Sequence, residues 1–169
     1  IFAGEALRPQ VVEEWNEAMP SCHIINMYGI TETTVHVTYK AITKAEISRN
    51  KSVIGFPLPT LSCFVLDRDL QPVPPGVIGE ICVGGAGLSR GYLNRRELTN
   101  EKFVSHPMAD GKIYRSGDYA KISLSGDIEY IGRNDDQIKI RGHRIEIAEI
   151  EIAISKLNGI RDVVVIGID

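Results

Sequence analysis

Hydrophobic positions change their spacing three times along the chain. Val11, Val12, Trp15, Ala18 and Met19 recur at three- and four-residue steps, as one face of a helix does. Pro9 suits the first helical position, where no amide donor is needed, and Pro20 ends the run. Residues 1–4 read as a strand end passing into a turn. Residues 23–28 read as a short buried strand that Gly29 breaks, and residues 33–42, rich in β-branched side chains, as extended chain.

From residue 52 to residue 131 short apolar runs are punctuated by Pro and Gly, among them Pro57, Pro59, Pro72, Gly79 and Gly117. That pattern predicts a small, mostly antiparallel β unit. One hairpin stands out: 119–124 and 127–131 flank the Ser125-Gly126 turn. Further on, Gln137, Lys139 and Arg141 alternate with Ile138 and Ile140, so the polar trio shares one strand face. Ile147, Ile150, Ile154 and Leu157 then repeat as a helix face, Asn158-Gly159 stops the helix, and 163–168 form a last apolar strand. The expected fold class is α/β plus β. It divides into the end of an α/β unit over 1–50, a β-rich unit over 51–134, and the start of an α+β unit over 135–169.

Composition narrows the classes. The chain has 169 residues, 43% hydrophobic and 24% charged, which are globular values. Lys and Arg number 19 against 22 Asp and Glu, a net charge of −3. No basic excess is present to bind nucleic acid, and no apolar run is long enough to span a membrane. Cys22, Cys63 and Cys82 have neither zinc-ligand nor CxxC spacing, which fits reduced core thiols and a cytoplasmic setting. The chain opens on Ile1 and stops inside the run Val163 to Ile166, so it is expected to be cut from a longer polypeptide.

Three stretches could carry chemistry. In Asn26 to Thr34 a polar, aromatic, Gly, hydroxyl and carboxylate cluster directly follows a buried strand, where open α/β sheets bind ligands. Tyr28 offers a flat face to a base and Gly29 lets backbone approach. Thr31 and Glu32 can face phosphate and magnesium, or simply cap a helix. In Tyr114 to Asp118 a carboxylate after a Gly turn can grip a ribose diol, or bond its own turn. From Gly132 to Arg144 charges of both signs alternate, suiting phosphate contact or a charged edge strand. The Gly-rich stretch Gly85, Gly87, Gly91 misses the dinucleotide spacing by one residue.

Taken in order, these motifs resemble the adenylation domain of nonribosomal peptide synthetases, within the adenylate-forming superfamily. The likeness runs through Ala3 to Leu7, Asn26 to Glu32, Gly79 to Leu93, Tyr114 to Asp118 and Gly132 to Glu151, with Ile30 and Ser116 where the family usually has Pro and Thr. The resemblance implies an adenylate-forming core with a distorted-barrel subdomain and a mobile C-terminal subdomain. It implies that ATP and an amino acid give aminoacyl-AMP, which a carrier-protein phosphopantetheine thiol takes up beside a condensation domain. Tyr28 would stack on adenine, with Gly4 and Gly29 beside the nucleotide, and Asn26 would bond its amino group. Thr31 would lie near phosphate, Glu32 would hold magnesium, and Asp118 would bind the ribose hydroxyls. Tyr130, Gly132 and Arg133 would complete the site, and Lys139 would approach the ribose and phosphate.

The resemblance also places a hinge at Asp135, a pantetheine-facing loop at Gly142, and an amino-acid pocket at Ile1, Ala3, Met27, Val35 and His36. The family's phosphate loop, its amine-pairing aspartate and its C-terminal lysine fall outside the chain, so the isolated chain is expected to form no adenylate. Two other readings remain open: an acyl-CoA synthetase, which shares residues 28–32 but tends to carry Pro before its Glu-Ile-Glu, and a non-catalytic nucleotide-binding remnant.

Overall fold

The N-terminal helical pattern splits in two. Pro9–Val12 forms a 3-10 turn and α1 (Glu13–Ala18) follows. Only Pro9 and Val12 of this stretch are buried, while Trp15 sits on the surface, edge-on to Phe2. The structure, a computed structural model, describes residues 1–167 apart from 110, 134–136 and 141, with Lys139 described in its backbone.

Strand β1 (Ile24–Tyr28) alternates buried Ile24, Asn26 and Tyr28 with half-buried Ile25 and Met27. It pairs antiparallel with β2 (Thr38–Ile42), and Phe2 makes a parallel bridge to Asn26. The extended run expected over 33–42 is therefore shorter. Residues Thr31–Thr33 form a 3-10 turn, and Thr34 and Val35 adopt left-handed backbone at φ 60° and 71°. A β-branched residue rarely accepts that conformation. It reverses the chain, so that the Val35 amide bonds the Ile30 carbonyl and the Val37 amide bonds the Tyr28 carbonyl.

After α2 (Lys44–Arg49) come β3 (Val53–Pro57), β4 (Leu61–Leu66), β5 (Ile78–Gly85), α3 (Arg96–Lys102), β6 (Phe103–Ser105), β7 (Lys112–Ile122) and β8 (Ile128–Arg133). With β1 and β2 they make one antiparallel sheet of order β1-β2-β3-β8-β7-β5-β4, β6 adding to β7. The sheet continues across residue 50, since β2 pairs with β3 at Thr38–Pro57 and Tyr39–Phe56. Its core holds Val37, Ile54, Val65, Ile81, Ala120 and Ile128. The predicted hairpin forms as β7–β8, with Gly126 at φ 86° in the turn and Ile122 opposite Ile128.

β9 (Gln137–Ile140) and β10 (His143–Glu146) form a separate two-stranded ribbon leading into α4 (Ile147–Ser155). The helix face of Ile147, Ile150, Ile154 and Leu157 is open: Ile150 and Leu157 are exposed, and no α4 residue is buried. The last predicted strand does not form within the described residues. Val164 and Ile166 face solvent, and no strand edge pairs with 163–167. An apolar run becomes a strand only where a partner accepts its backbone groups. Among the described residues no helix is long and apolar enough to cross a membrane.

Candidate functional site

Along β7 the side chains of Tyr114, Ser116, Asp118 and Ala120 share the buried face. Ser116 and Asp118 are strongly polar, and their burial without partners would be costly. Ser116 solves its share by donating to the Ile81 carbonyl (2.7 Å) and accepting from the Asp118 amide (3.0 Å). Asp118 is fully buried at 0% exposure. Its Oδ2 accepts from Tyr28 Oη at 2.7 Å. Its Oδ1 accepts from Arg133 Nη1 at 2.9 Å and from Tyr130 Oη at 3.3 Å. Arg133 Nη2 also donates to the Ser116 carbonyl. Residues from β1, β7 and β8 thus meet on one carboxylate. Burial, then the Asp118 charge, push the Tyr28 hydroxyl well above its ordinary value, so it stays a donor.

Beside this cluster lies a narrow cleft of about 20 Å³, lined among others by Gly4, Asn26, Met27, Gly29, Ser52 and Tyr130 as well as Tyr28. The Tyr28 and Tyr130 rings lie 6.2 Å apart at its wall. Asn26 is buried, and its amide nitrogen donates to the Val53 carbonyl at 2.9 Å. That bond orients Asn26 and leaves its Oδ1 as an acceptor. Gly29 is required by close approach: a Cβ there would stand 2.0 Å from the Val35 carbonyl oxygen. Asp118, expected against ribose, faces the tyrosines and Arg133 instead of lining this cleft. Gly132 precedes Arg133 on β8, opposite Tyr119.

Glu32 anchors a second cluster. Its Oε1 accepts from Tyr92 Oη (2.6 Å), Tyr114 Oη (3.0 Å) and Arg144 Nη1 (2.9 Å), and its Oε2 accepts from Arg144 Nη1 (2.9 Å). Burial alone would raise the carboxyl's pKa, but the bonds from Tyr92, Tyr114 and Arg144 outweigh it and hold the group below its usual range. Burial and the neighbouring carboxylate push both tyrosine hydroxyls up. Magnesium, expected at Glu32, does not fit this arrangement. The carboxylate is occupied by donors, and no group of three potential metal ligands exists among the described residues. Thr31 caps no helix with its side chain and is exposed.

The five residues expected to form an amino-acid pocket do not share one cavity. Met27 lines the cleft by Asn26, and Ala3 lines a groove with Phe2, Glu5 and Gly142. Ile1 and Val35 are exposed, and His36 Nδ1 is buried without a hydrogen-bond partner. Gly142 sits in that groove, its amide donating to Glu5 Oε1 at 2.7 Å. The hinge position Asp135 and the side chain of Lys139 lie outside what the structure describes.

Tyr92, Tyr114 and Arg144 are partners of Glu32 that the motifs do not announce. Arg144 shares a dense charge run with Glu146, and that run is its one signal. Tyr92 and Tyr114 have no local signal, because nothing in their own segments points to a carboxylate 60 or 82 residues away.

Cleft and buried carboxylate thus lie side by side where β1, β7 and β8 come together. The chain belongs to the AMP-binding enzyme family, whose description matches residues 1–93, more than half its length. It is 48% identical over 171 residues to a dimodular nonribosomal peptide synthase of Bacillus subtilis (strain 168), covering 98% of this chain and 7% of that protein. It is 51% identical over 146 residues to tyrocidine synthase 3 of Brevibacillus parabrevis, covering 85% and 2%. The chain therefore spans a small part of these relatives. Among solved structures, PA1221, a nonribosomal peptide synthetase protein containing adenylation and PCP domains, superposes with a TM-score of 0.88 at 31% identity, covering 95% of this chain and 33% of that one. Its holo form, bound to a vinylsulfonamide inhibitor, gives 0.90 at 31% identity, covering 95% and 28%. The expected fold is thus borne out: a sheet-dominant α/β architecture corresponding to part of such a protein.

Proposed function

We propose that this chain forms the adenine-binding and carrier-facing part of an amino-acid adenylation unit in a nonribosomal peptide synthetase. The observation that carries the reading is the convergence of Tyr28, Tyr130 and Arg133 on Asp118 beside the cleft that Asn26 enters. Asn26 Oδ1 is an acceptor suited to an exocyclic amino group, and the tyrosine wall suits a flat base. Arg133, held by Asp118 and the Ser116 carbonyl, supplies a fixed positive charge toward ribose and phosphate.

In the reaction, an amino-acid carboxylate oxygen attacks the ATP α-phosphorus and pyrophosphate leaves, giving aminoacyl-AMP. A thiol on a carrier-bound phosphopantetheine then attacks the acyl carbon and releases AMP. What this chain contributes is orientation of the nucleoside and a route for the arm. The groove of Phe2, Ala3, Glu5 and Gly142 lacks a side chain at Gly142, which suits a slender pantetheine. The likeness to proteins that join adenylation and PCP domains supports the carrier as partner. Arg144-Ile145-Glu146, without Pro before Glu149-Ile150-Glu151, favours this reading over an acyl-CoA synthetase.

The test is amino-acid-dependent exchange of pyrophosphate into ATP by the full-length polypeptide that carries this segment. Exchange is expected with one or a few amino acids, and Asn26→Ala is expected to raise the KM for ATP. Exchange driven only by fatty or aryl acids would overturn the amino-acid assignment. No exchange with any acid, together with no AMP binding, would overturn the enzyme reading.

A further inference from the structure

Ser52 carries a hydroxyl that the fold buries and leaves unused. Its Oγ is closed off from solvent, and no donor or acceptor among the described residues meets it. A buried hydroxyl normally has a hydrogen-bond partner, because burial without one is costly. Ser52 lines the narrow cleft together with Asn26, Tyr28, Ile54 and Tyr130.

The backbone on each side of Ser52 is held. The Val53 amide bonds the Lys51 carbonyl at 2.8 Å, a three-residue turn centred on Ser52. The Ser52 carbonyl accepts from the Tyr130 amide at 2.8 Å, which ties the turn to β8. The Val53 carbonyl accepts from Asn26 Nδ2 at 2.9 Å, which ties it to β1 and leaves Asn26 Oδ1 as an acceptor. The Ser52 hydroxyl and the Asn26 oxygen therefore sit on one cleft wall, braced by the same short segment. The cleft measures about 20 Å³, room for about one water-sized group. It admits the edge of a base rather than a whole nucleoside.

We propose that Ser52 is a specificity-determining residue that donates its hydroxyl hydrogen to ring nitrogen N1 of the adenine whose 6-amino group donates to Asn26. This rests on the adenylation reading of the same site. Strand geometry selects N1 over N7. Arg133, which faces ribose and phosphate in that reading, lies three residues beyond Tyr130 on β8, roughly 10 Å along a strand. Ser52 is bonded to Tyr130 itself, so it stands at the end of the site away from the sugar. In adenine, N7 belongs to the ring that carries the ribose, and N1 lies at the far end beside the amino group. Asn26 accepts from the amino group while Ser52 donates to its neighbour. A 6-oxopurine offers the reverse: an acceptor at O6, against the Asn26 oxygen, and a hydrogen on N1.

The experiment compares ATP with 1-deaza-ATP, in which C–H replaces N1, by equilibrium binding to the full-length polypeptide without amino acid. Wild type is expected to bind ATP about two- to tenfold more tightly than 1-deaza-ATP, the range a single neutral hydrogen bond commands. Ser52→Ala is expected to weaken ATP by that factor and to leave 1-deaza-ATP unchanged, so that the preference is lost. Ser52→Thr, which keeps the hydroxyl, is expected to keep the preference. A serine that serves only the fold weakens both nucleotides alike when it becomes alanine, and that result overturns the proposal. So does a preference that survives Ser52→Ala. Equal binding of the two nucleotides by the wild-type protein overturns it as well, and that comparison needs no variant to fold. If wild type binds ATP without an N1 preference, only the Ser52 contact falls; if it binds neither nucleotide, the adenylation reading falls with it.

Discussion

Tyr28 Oη lies 2.7 Å from Asp118 Oδ2, joining β1 to β7 across 90 residues of sequence. The bond is buried and one partner is charged, so each group depends on the other for solvation. Asp118→Ala removes the carboxylate that faces Arg133 and both tyrosines. Loss of one member of a buried ion pair costs about 3–5 kcal/mol. Tyr28→Phe, which deletes a single donor, is expected to cost about 1–3 kcal/mol. Urea denaturation of the two single variants and the double variant measures the coupling. The double variant should lose clearly less than the sum of the two; simple additivity would show that the contact does not form.

Gly29 is held by steric contact with backbone rather than by its own φ. A methyl group there would lie 2.0 Å from the Val35 oxygen and 2.7 Å from the His36 Cα. Backbone atoms cannot swing aside as a side chain tip can. Gly29→Ala is expected to destabilise by about 1–3 kcal/mol, the usual cost of overpacking. It should also weaken AMP binding, because the turn from Ile30 to Val35 must shift. Calorimetric AMP binding on variants matched for folded fraction checks this, and unchanged affinity would show that the turn does not shape the cleft.

The half-buried Cys63 thiol and the buried Cys82 thiol should be silent at neutral pH. Burial pushes the Cys63 thiol up to about 12, and burial with the Glu80 charge does the same for Cys82. The thiolate is the reactive form. A disulfide reagent at pH 8 is expected to label one of the three cysteines quickly, Cys22, and all three in urea. Peptide mapping identifies the sites. Rapid labelling of Cys82 in the native protein would contradict its 0% exposure.

The start of α2 carries a reciprocal cap. Thr43 Oγ1 accepts from the Ala45 amide at 3.2 Å, and the Glu46 carboxylate takes both the Thr43 amide, at 3.1 Å, and the Thr43 hydroxyl. Burial would raise the Glu46 carboxyl, but the Thr43 bonds and the Lys40 charge together lower it. A lowered folded value means the stabilisation is complete above pH 4.5 and fades as pH falls through that lower value. Thr43→Ala is expected to cost about 1 kcal/mol at neutral pH. Thermal melts should show that gap narrowing in acid; a gap constant with pH would exclude the carboxylate from the cap.

Local readings succeed where one segment holds the whole cause. The β7–β8 hairpin is legible because its turn residues and flanking alternation lie within a dozen positions. The helix face of α4 is legible in period but not in burial, since period says which residues align and not what covers them. The run 163–167 has strand composition and no strand partner among the described residues, so composition alone misleads. The left-handed pair Thr34-Val35 runs against β-branched propensity, because hydrogen bonds back to Ile30 and Tyr28 outweigh the local preference.

The site divides in the same way. Asn26, Tyr28, Glu32 and Asp118 can be named from their motifs, because each motif is a short string whose chemistry is local. That Asp118 faces Tyr28, Tyr130 and Arg133, and that Arg144 seals Glu32, depends on strands brought together from distant parts of the chain. Side-chain identity and short-range pattern are properties of the string itself. Which donor meets which acceptor is decided by strand order and register, and those follow from the packing of the whole sheet.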